Sequence, residues 1–298
     1  MGYLSVAEIA KKWNMSERSV RNYCAQGRIP GAFVVGKTWS IPQEAVKPIR
    51  ISKSTKEPAT LLSALQREKE SGMPGGIYHK VQIDLTYNSN HIEGSRLTHA
   101  QTRYIFETNT IGVENETINV DDVIETTNHF RCIDTIISSA NSKLTEGYIK
   151  ELHAILKGGT SDSRKDWFAV GEYKKLPNEV GGHETVSPED VELAVRRLIK
   201  SYNQIENKML EDILDFHVQF ESIHPFQDGN GRIGRLIMFK ECLRNNIVPF
   251  IITDEMKMFY YRGLNQWSNE RGYLIDTCLA AQDEFKSIME YFRIPYEG

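Results

Sequence analysis

Beyond residue 58, apolar residues recur three and four positions apart, which is the spacing that lines one face of an α-helix. This pattern predicts helices near residues 59–71, 78–90, 98–108, 120–140, 145–156, 188–206, 211–223, 231–245, 255–269 and 271–292. Residues 173–188, YKKLPNEVGGHETVSP, break the pattern, because Pro, Asn and paired Gly interrupt short β-prone pieces. We therefore predict a mainly α fold that holds one loop or small hairpin.

The first fifty residues carry a different order of signals. Ser5 and Glu8 have the spacing of a capping box, and an apolar stripe follows them. Ser16 is placed to cap a second helix that ends near Gly27, where a helix C-terminus favours glycine. The stretch GAFVVGKTWSIP then offers two short β-prone runs joined at a Gly-Lys turn. Together these signals predict a helix, a tight turn, a second helix and a hairpin wing.

Charge is distributed unevenly along the chain. The net charge is -4, yet residues 1–58 hold ten Lys or Arg against four Glu, a surplus of +6 that leaves -10 for the rest. A small basic module on a larger acidic body suggests that only the module meets a polyanion. Residues 51–58 are polar, with few large apolar side chains, and predict a linker between the two parts.

Length and composition limit the classes of protein that fit. The chain has 298 residues, of which 40% are hydrophobic and 26% charged, and this excludes disordered and fibrous proteins. No apolar run approaches the roughly 20 residues of a transmembrane helix, and the first residues lack the apolar core of a secretory signal. We therefore expect a cytoplasmic protein without a membrane partner. The four cysteines show no CxxC spacing, so they indicate neither a zinc site nor a disulfide framework.

Residues 224–235, HPFQDGNGRIGR, combine several residue types that handle phosphate. His224 follows an apolar helical stretch, and histidine suits a base that activates a hydroxyl. Asp228 precedes a glycine-rich turn, where a carboxylate beside phosphates suits Mg²⁺ and free N–H groups suit the phosphate itself. Arg232 and Arg235 lie three residues apart on one helical face. Singly, each residue has an ordinary alternative: a helix terminator, a turn former or a solvated basic face.

Together these residues match every fixed position of HxFx(D/E)GN(G/K)RxxR, and the segment resembles the signature of the Fic family. The resemblance implies a Fic-type helical bundle that transfers AMP from ATP to a protein hydroxyl, with His224 as the base and Asp228 as the Mg²⁺ ligand. The residues it assigns to the ATP phosphates are Gly229, Asn230, Gly231, Arg232 and Arg235. Glycine at position 231 favours the AMP-transferring branch over the Doc-like branch, which has lysine there.

Two further stretches resemble parts of the same family. Residues 171–182, GEYKKLPNEVGG, resemble its flap, a hairpin that aligns an extended target segment by strand-like pairing, although an ordinary surface loop is the alternative. The flap residues would be Asn178, Val180 and Gly181. A later stretch is similar to one that packs on adenine, and plain core packing is the alternative there. Its residues would be Tyr260, Tyr261 and Leu264.

Residues 89–94, SNHIEG, fit the inhibitory motif (S/T)xxxE(G/N) of many Fic proteins, and their upstream position resembles the class with an N-terminal inhibitory helix. The resemblance implies that Glu93 pairs with Arg235 through a bidentate carboxylate contact and keeps ATP from its productive pose. Ser89, at the first position of the motif, is counted with Glu93 as an inhibitory residue. An exposed helical glutamate is the alternative. The same glutamate could also serve the removal of AMP from a modified protein.

The N-terminal residues resemble winged helix-turn-helix modules of the excisionase and MerR type. This resemblance implies a second helix in the major groove and further contacts to phosphates. The residues assigned to DNA are Ser16, Arg18, Ser19, Arg21, Asn22, Arg28 and Lys37. Docking onto a protein, without DNA binding, is the alternative. Because one module alone binds DNA weakly, DNA binding would favour a homodimer.

The predicted organisation is a winged helix-turn-helix module at 1–50, a linker at 51–58, a helical region with the inhibitory motif at 59–120, and the catalytic core with C-terminal helices at 121–298. The predicted function is that of an autoinhibited protein adenylyltransferase that uses ATP and Mg²⁺ and modifies an unidentified target protein or itself. A transcriptional regulator that senses nucleotide through the Fic body, and an enzyme that removes AMP, are the alternatives.

Overall fold

The structure, a computed structural model, describes residues 2–25, 27–36, 38–48, 60–112 and 117–296. The chain divides into two compact units, Met1–Pro58 and Ala59–Gly298. The predicted linker at 51–58 and the predicted DNA contact Lys37 lie outside the described residues. The finer division of the larger unit at residue 120 stays a prediction.

The smaller unit is a helix-turn-helix with a three-stranded antiparallel sheet in the order β1-β3-β2. Its elements are β1 (Tyr3–Ser5), α1 (Val6–Trp13), α2 (Glu17–Ala25), β2 (Phe33–Val35) and β3 (Thr38–Pro42). Ser5 and Glu8 form the predicted capping box. Strand β1 was not predicted, because its three residues become a strand only by pairing with β3, where Tyr3 lies opposite Pro42.

The larger unit confirms the predicted mainly α fold. Its helices are α3 (Leu61–Ser71), α4 (Ile77–Ile92), α5 (His99–Thr108), α6 (Val120–Ser138), α7 (Glu146–Lys157), α8 (Val191–Gln204), α9 (Leu210–Ile223), α10 (Asn230–Arg244), α11 (Lys257–Gln266) and α12 (Gly272–Tyr291). A short hairpin of β4 (Glu179–Val180) and β5 (His183–Glu184) lies between α7 and α8. None of the helices within the described ranges is long and apolar enough to cross a membrane.

Helix α10 lies at the centre of the larger unit and packs against α9, α6, α4, α7 and α3. It is buried on all sides, and among its residues only Gly231 and Arg244 escape full burial. Its apolar side chains join the main core, but it also carries Arg232, Arg235 and Lys240 into the interior. Because a buried charge is costly unless it is paired, these cations require partners from the surrounding helices.

Candidate active site

His224 stands at the point where α9 ends. Its backbone is left-handed, with φ +49°, and its N–H donates to the Phe220 carbonyl over 2.9 Å. This conformation, which is uncommon for a residue with a side chain, turns the chain out of the helix before Pro225. The imidazole Nδ1 lies 3.3 Å from the Glu221 carbonyl. Because a carbonyl only accepts, Nδ1 carries the proton and Nε2 keeps the lone pair that a base needs. Burial lowers the pKa of His224, which favours this neutral form.

The turn between α9 and α10 is closed by Asn230. Its Oδ1 accepts from the Phe226 N–H and its Nδ2 donates to the Phe226 carbonyl, each over 2.8 Å. Gly229, with φ +84°, supplies the left-handed residue that precedes α10. The Asn230 amide is therefore engaged within the turn. The part of this turn that suits a phosphate is the row of N–H groups that begins α10.

Asp228 lies between two cations. Its Oδ2 accepts from the Lys157 ammonium at 2.6 Å and from the Arg232 guanidinium at 3.2 Å. Burial alone would raise the pKa of Asp228, but Arg232 and Lys157 outweigh it and hold that pKa well below its usual range. The carboxylate is therefore ionised over the whole physiological range of pH.

Lys157 connects this carboxylate to two others. Its side chain is 2% exposed, and its ammonium also lies 2.5 Å from Glu125 and 3.1 Å from Asp162. Glu125 in turn pairs with Arg232, whose side chain is buried. Burial lowers the pKa of Lys157, yet Asp228 and Glu125 outweigh it and raise the pKa overall, so the ammonium stays charged. The five side chains form one charge network, which we call the Lys157 network: Glu125, Lys157, Asp162, Asp228 and Arg232.

The chemistry of these donors can be compared with the needs of Mg²⁺. Within the part of the chain that the structure describes, no group of three or more His, Cys, Asp or Glu is arranged to hold a metal ion by itself. Mg²⁺, however, commonly takes only one or two carboxylates and completes its shell with phosphates and water. The ionised, part-exposed Asp228 fits that pattern. The residues therefore fit a metal that arrives with a nucleotide.

Arg235 lies on the next turn of α10 and reaches α4. Its NH2 donates to Glu93 Oε1 at 2.7 Å and to the Ser89 carbonyl at 2.9 Å, while its Nε donates to Ser89 Oγ at 3.1 Å. The bidentate carboxylate contact that the sequence suggested is therefore wrong in detail. Glu93 makes one hydrogen bond to the guanidinium, and Ser89 supplies the other two acceptors.

A second buried carboxyl, that of Glu221, lies close to the same arginine. Its Oε1 is buried and has no hydrogen-bond partner among the described residues. Burial, reinforced by the charge of Glu93, raises the pKa of Glu221 to about 8 despite the opposing effect of Arg235. Glu221 is therefore mostly protonated at neutral pH, and Glu93 is the carboxylate that lies within ion-pair distance of Arg235.

The three residues predicted to pack on adenine differ in exposure. Tyr260 is 1% exposed, and its hydroxyl lies 2.6 Å from His217 Nε2, so this side chain belongs to the core. Tyr261 and Leu264 keep partly exposed side chains on the same helix, α11. Any contact of these residues with adenine stays a prediction.

The stretch predicted to be a flap forms the β4–β5 hairpin. Val180 lies opposite His183, and Gly181 and Gly182 make the turn with φ +57° and +80°. At its base, Asn178 Nδ2 donates to the Phe226 carbonyl over 2.9 Å. The hairpin is thus joined directly to the segment that follows His224.

The DNA contacts predicted in the smaller unit fall mainly on one helix. Arg18, Arg21 and Asn22 are exposed on α2, and Arg21 pairs with Glu17 over 2.7 Å. The exposed Ser16 precedes this helix, and its Oγ accepts from the Ser19 N–H, which caps α2. Arg28 lies 4.7 Å from the ring centre of Tyr23, after α2 has ended.

Sequence patterns missed several residues of the larger site. His153 and Lys157 lie one turn apart on α7, and His153 contacts the Asp228 carbonyl at 3.2 Å. A histidine and a lysine on the apolar face of LHAILK were the available signal, since polar side chains on a buried face require partners. Glu125 gave no such signal, because its partners Lys157 and Arg232 are distant in sequence. Lys174 gave none either, because it stands in an irregular stretch where no apolar period marks a buried face.

Comparison with known families places two matches on this chain. Residues 143–242 match the Fic/DOC family, and residues 3–47 match a helix-turn-helix domain. Protein adenylyltransferase Fic from Drosophila persimilis is 30% identical over 211 residues, which cover 68% of this chain and 37% of that protein. Its Drosophila melanogaster counterpart is 30% identical over 210 residues, or 67% and 38%. The match thus spans well under half the length of these relatives.

Two solved structures share the fold. A Fic domain containing signaling protein from Bacteroides thetaiotaomicron superposes with a TM-score of 0.61 at 24% identity, covering 80% of this chain and 99% of the other. Fic-1 (aa134–508) from C. elegans superposes with a TM-score of 0.60 at 19% identity, covering 78% and 72%. At these identities the superpositions show a shared fold alone.

Proposed function

Since residues 143–242 of this chain are a Fic/DOC family domain, we propose that the protein is an autoinhibited adenylyltransferase that transfers AMP from ATP to a Ser, Thr or Tyr hydroxyl of a protein. One observation carries the proposal. Within twelve residues, the chain holds a neutral imidazole with a free Nε2, an ionised carboxylate, a helix N-terminus and two buried arginines.

In the proposed reaction, His224 Nε2 takes the proton of the target hydroxyl while its oxygen attacks the α-phosphorus of ATP. The bond between the α-phosphorus and the bridging oxygen of the β-phosphate breaks, and pyrophosphate leaves with that electron pair. The products are the AMP-modified protein and pyrophosphate. Arg232, Arg235 and the N–H groups of Gly229 to Gly231 would stabilise the charge that develops on the phosphates.

Mg²⁺, held by Asp228 and the phosphates, would neutralise phosphate charge and orient the pyrophosphate that leaves. The chain's own part is to keep Asp228 ionised and fixed. Lys157 and Arg232 do this by holding one of its oxygens, and the His153 contact holds its backbone.

The contact between Glu93 and Arg235 supports the autoinhibited part of the proposal. Glu93 and Ser89 engage three of the five N–H donors of Arg235, and the carboxylate already neutralises the charge that a terminal phosphate would pair with. Glu93 would thus leave ATP able to bind, but in a pose that His224 and its hydroxyl substrate cannot use. Removal of AMP by the same glutamate is the alternative use of this contact.

The test is incorporation from α-labelled ATP with Mg²⁺ and cell lysate. We expect Glu93→Gly to raise labelling of a target or of the protein itself by about tenfold or more, because it removes the carboxylate that holds the buried Arg235. Adding His224→Ala should abolish that labelling. Glu189→Gly, a change at an exposed turn, is the matched control and should behave as wild type. Background labelling in Glu93→Gly would contradict the proposal, whereas release of AMP from a modified protein by wild type alone would favour removal.

The helix-turn-helix domain at residues 3–47 favours a second candidate, a transcriptional regulator that senses nucleotide. DNA would then bind through α2, with a homodimer supplying enough contacts for a specific site. ATP binding without transfer to any protein would favour this candidate. The intact His224 favours the enzyme, because a sensor has no need of a base. The cytoplasmic location and the identity of the target stay predictions.

A further inference from the structure

Lys174 lies at the base of the β4–β5 hairpin and is almost fully buried, with 3% of its surface exposed. Its ammonium donates to Asn178 Oδ1 and Thr185 Oγ1, each over 2.6 Å, and to the Ile223 carbonyl over 3.3 Å. Asn178 and Thr185 flank the two sides of the hairpin. Ile223 is the last residue of α9 and is followed directly by His224. One ammonium thus connects both sides of the hairpin to the residue before the base.

The surroundings of this lysine are unusual. An ammonium has three N–H donors, and these three acceptors engage all of them. Each acceptor is uncharged, and among the described residues no carboxylate forms an ion pair with Lys174. Burial without a counter-ion lowers the pKa of Lys174 to about 8. A lysine that served only as a filler would be replaced at less cost by an apolar residue, so its charge and its three donors call for a role.

Backbone contacts run beside this ammonium. The Lys174 N–H donates to the Pro225 carbonyl over 2.9 Å, and the Leu176 N–H donates to Gln227 Oε1 over 3.2 Å. The hairpin base and residues 223–227 are therefore joined along their length. Lys174 is the member of this set that reaches both sides of the hairpin and α9 at once.

We infer that Lys174 is a positioning residue that locks the hairpin to the end of α9, so that an extended target segment on the hairpin presents its hydroxyl to His224. The inference rests on the proposed function. It assigns Lys174 to alignment of the protein substrate and leaves ATP binding to α10. The positive charge of Lys174 also helps burial to keep the pKa of His224 low.

The test compares Lys174→Met with Lys175→Met in the Glu93→Gly background, since Lys175 is the next residue but is exposed. For Lys174→Met we expect amide hydrogen exchange in residues 176–185 to rise roughly tenfold or more, because three hydrogen bonds to a charged group are lost. AMP incorporation into protein should fall by a similar factor, while the Kd for ATP changes less than about twofold. Lys175→Met should change none of these.

Two further variants guard against misfolding. Lys174→Arg keeps a charge and several donors, so it should recover part of the exchange protection and leave the pKa of His224, followed by NMR, near that of the parent. Lys174→Met should raise that pKa. Thr185→Val removes one of the three acceptors of the ammonium, together with the hydroxyl's own hydrogen bond to Asn178, and should give an intermediate exchange rate. Unchanged exchange in both Lys174→Met and Thr185→Val, or an Arg variant no better than Met, would overturn the inference. Exchange and NMR need no transfer activity, so an inactive Glu93→Gly parent would count against the proposed function alone.

Discussion

At the scale of single residues, Gly231 determines whether Glu93 can reach Arg235. A Cβ added at position 231 would overlap Glu93 Oε1 and would lie 3.0 Å from Arg235 NH1. The carboxylate therefore lies in space that only a glycine at this position leaves open. The atom most affected is the end of a flexible side chain, so Glu93 would move rather than the backbone of α10.

This crowding predicts that Gly231→Ala displaces Glu93 and raises AMP incorporation from labelled ATP towards the level of Glu93→Gly. The added methyl group would displace Glu93 by steric overlap. Alanine keeps the backbone N–H that suits a phosphate, so the binding of ATP should not be lost. The double variant with Glu93→Gly should show no further gain, since both changes remove one contact. Labelling by Gly231→Ala that stays at the wild-type level would contradict the prediction. An additive gain in the double variant would point to a different cause.

At the scale of elements, α2 presents its polar face to solvent while Val20 and Cys24 hold the opposite face in the core of the smaller unit. Its exposed Arg18, Arg21 and Asn22 form a continuous polar surface, as a helix in the major groove requires. Both side chains of the Glu17–Arg21 ion pair are exposed to solvent, so the loss of this pair on DNA binding would cost at most about 1 kcal/mol.

We therefore expect Arg21→Ala to weaken salt-dependent retention on DNA, by about 1–3 kcal/mol if the guanidinium reads a base. Lys11→Ala provides the control, because this lysine is exposed on α1 rather than α2. The measurement is binding across a series of salt concentrations. Retention of wild type that does not depend on salt, or equal losses in the two variants, would argue for docking onto a protein instead.

At the scale of the whole molecule, the larger unit contains three buried histidines with strongly depressed pKa values. Burial is the main cause, and it lowers the pKa of His129 to about 3, that of His153 to about 4 and that of His217 to about 3. In the unfolded chain each would titrate near pH 6.5. Below that pH the three histidines bind protons in the unfolded chain but stay neutral in the folded one, so the free energy of unfolding falls as the pH decreases towards 4.

Glu221 acts in the opposite direction, because its raised pKa means that the folded state holds a proton between about pH 4.5 and 8. Near pH 5.5 the effect of the histidines is larger, because unfolding lets three histidines bind protons while it releases the one proton of Glu221. We expect the urea midpoint, followed by far-UV circular dichroism, to be lower at pH 5.5 than at pH 7. His129→Gln should flatten this dependence by about one proton. A midpoint that is equal or higher at pH 5.5 would contradict the prediction.

The sequence by itself determined what depends on neighbours along the chain. The apolar period placed the helices of the larger unit to within a few residues, and Ser5 with Glu8 marked the start of α1, because both signals act within one or two turns. The signature at 224–235 likewise held a base, a carboxylate and two arginines in one loop and helix. Because these residues lie within twelve positions of one another in the sequence, they stay close together in any fold.

Only the tertiary structure decided which distant side chains complete the site. Glu93 and Arg235 are 142 residues apart, and their contact is a single hydrogen bond supplemented by Ser89. Lys157 meets Asp228 across 71 residues, and Lys174 meets Ile223 across 49. Even the short strand β1 exists because β3 pairs with it. A local pattern carries no information about such pairs, since they follow from how helices pack and from the need of each buried charge for partners.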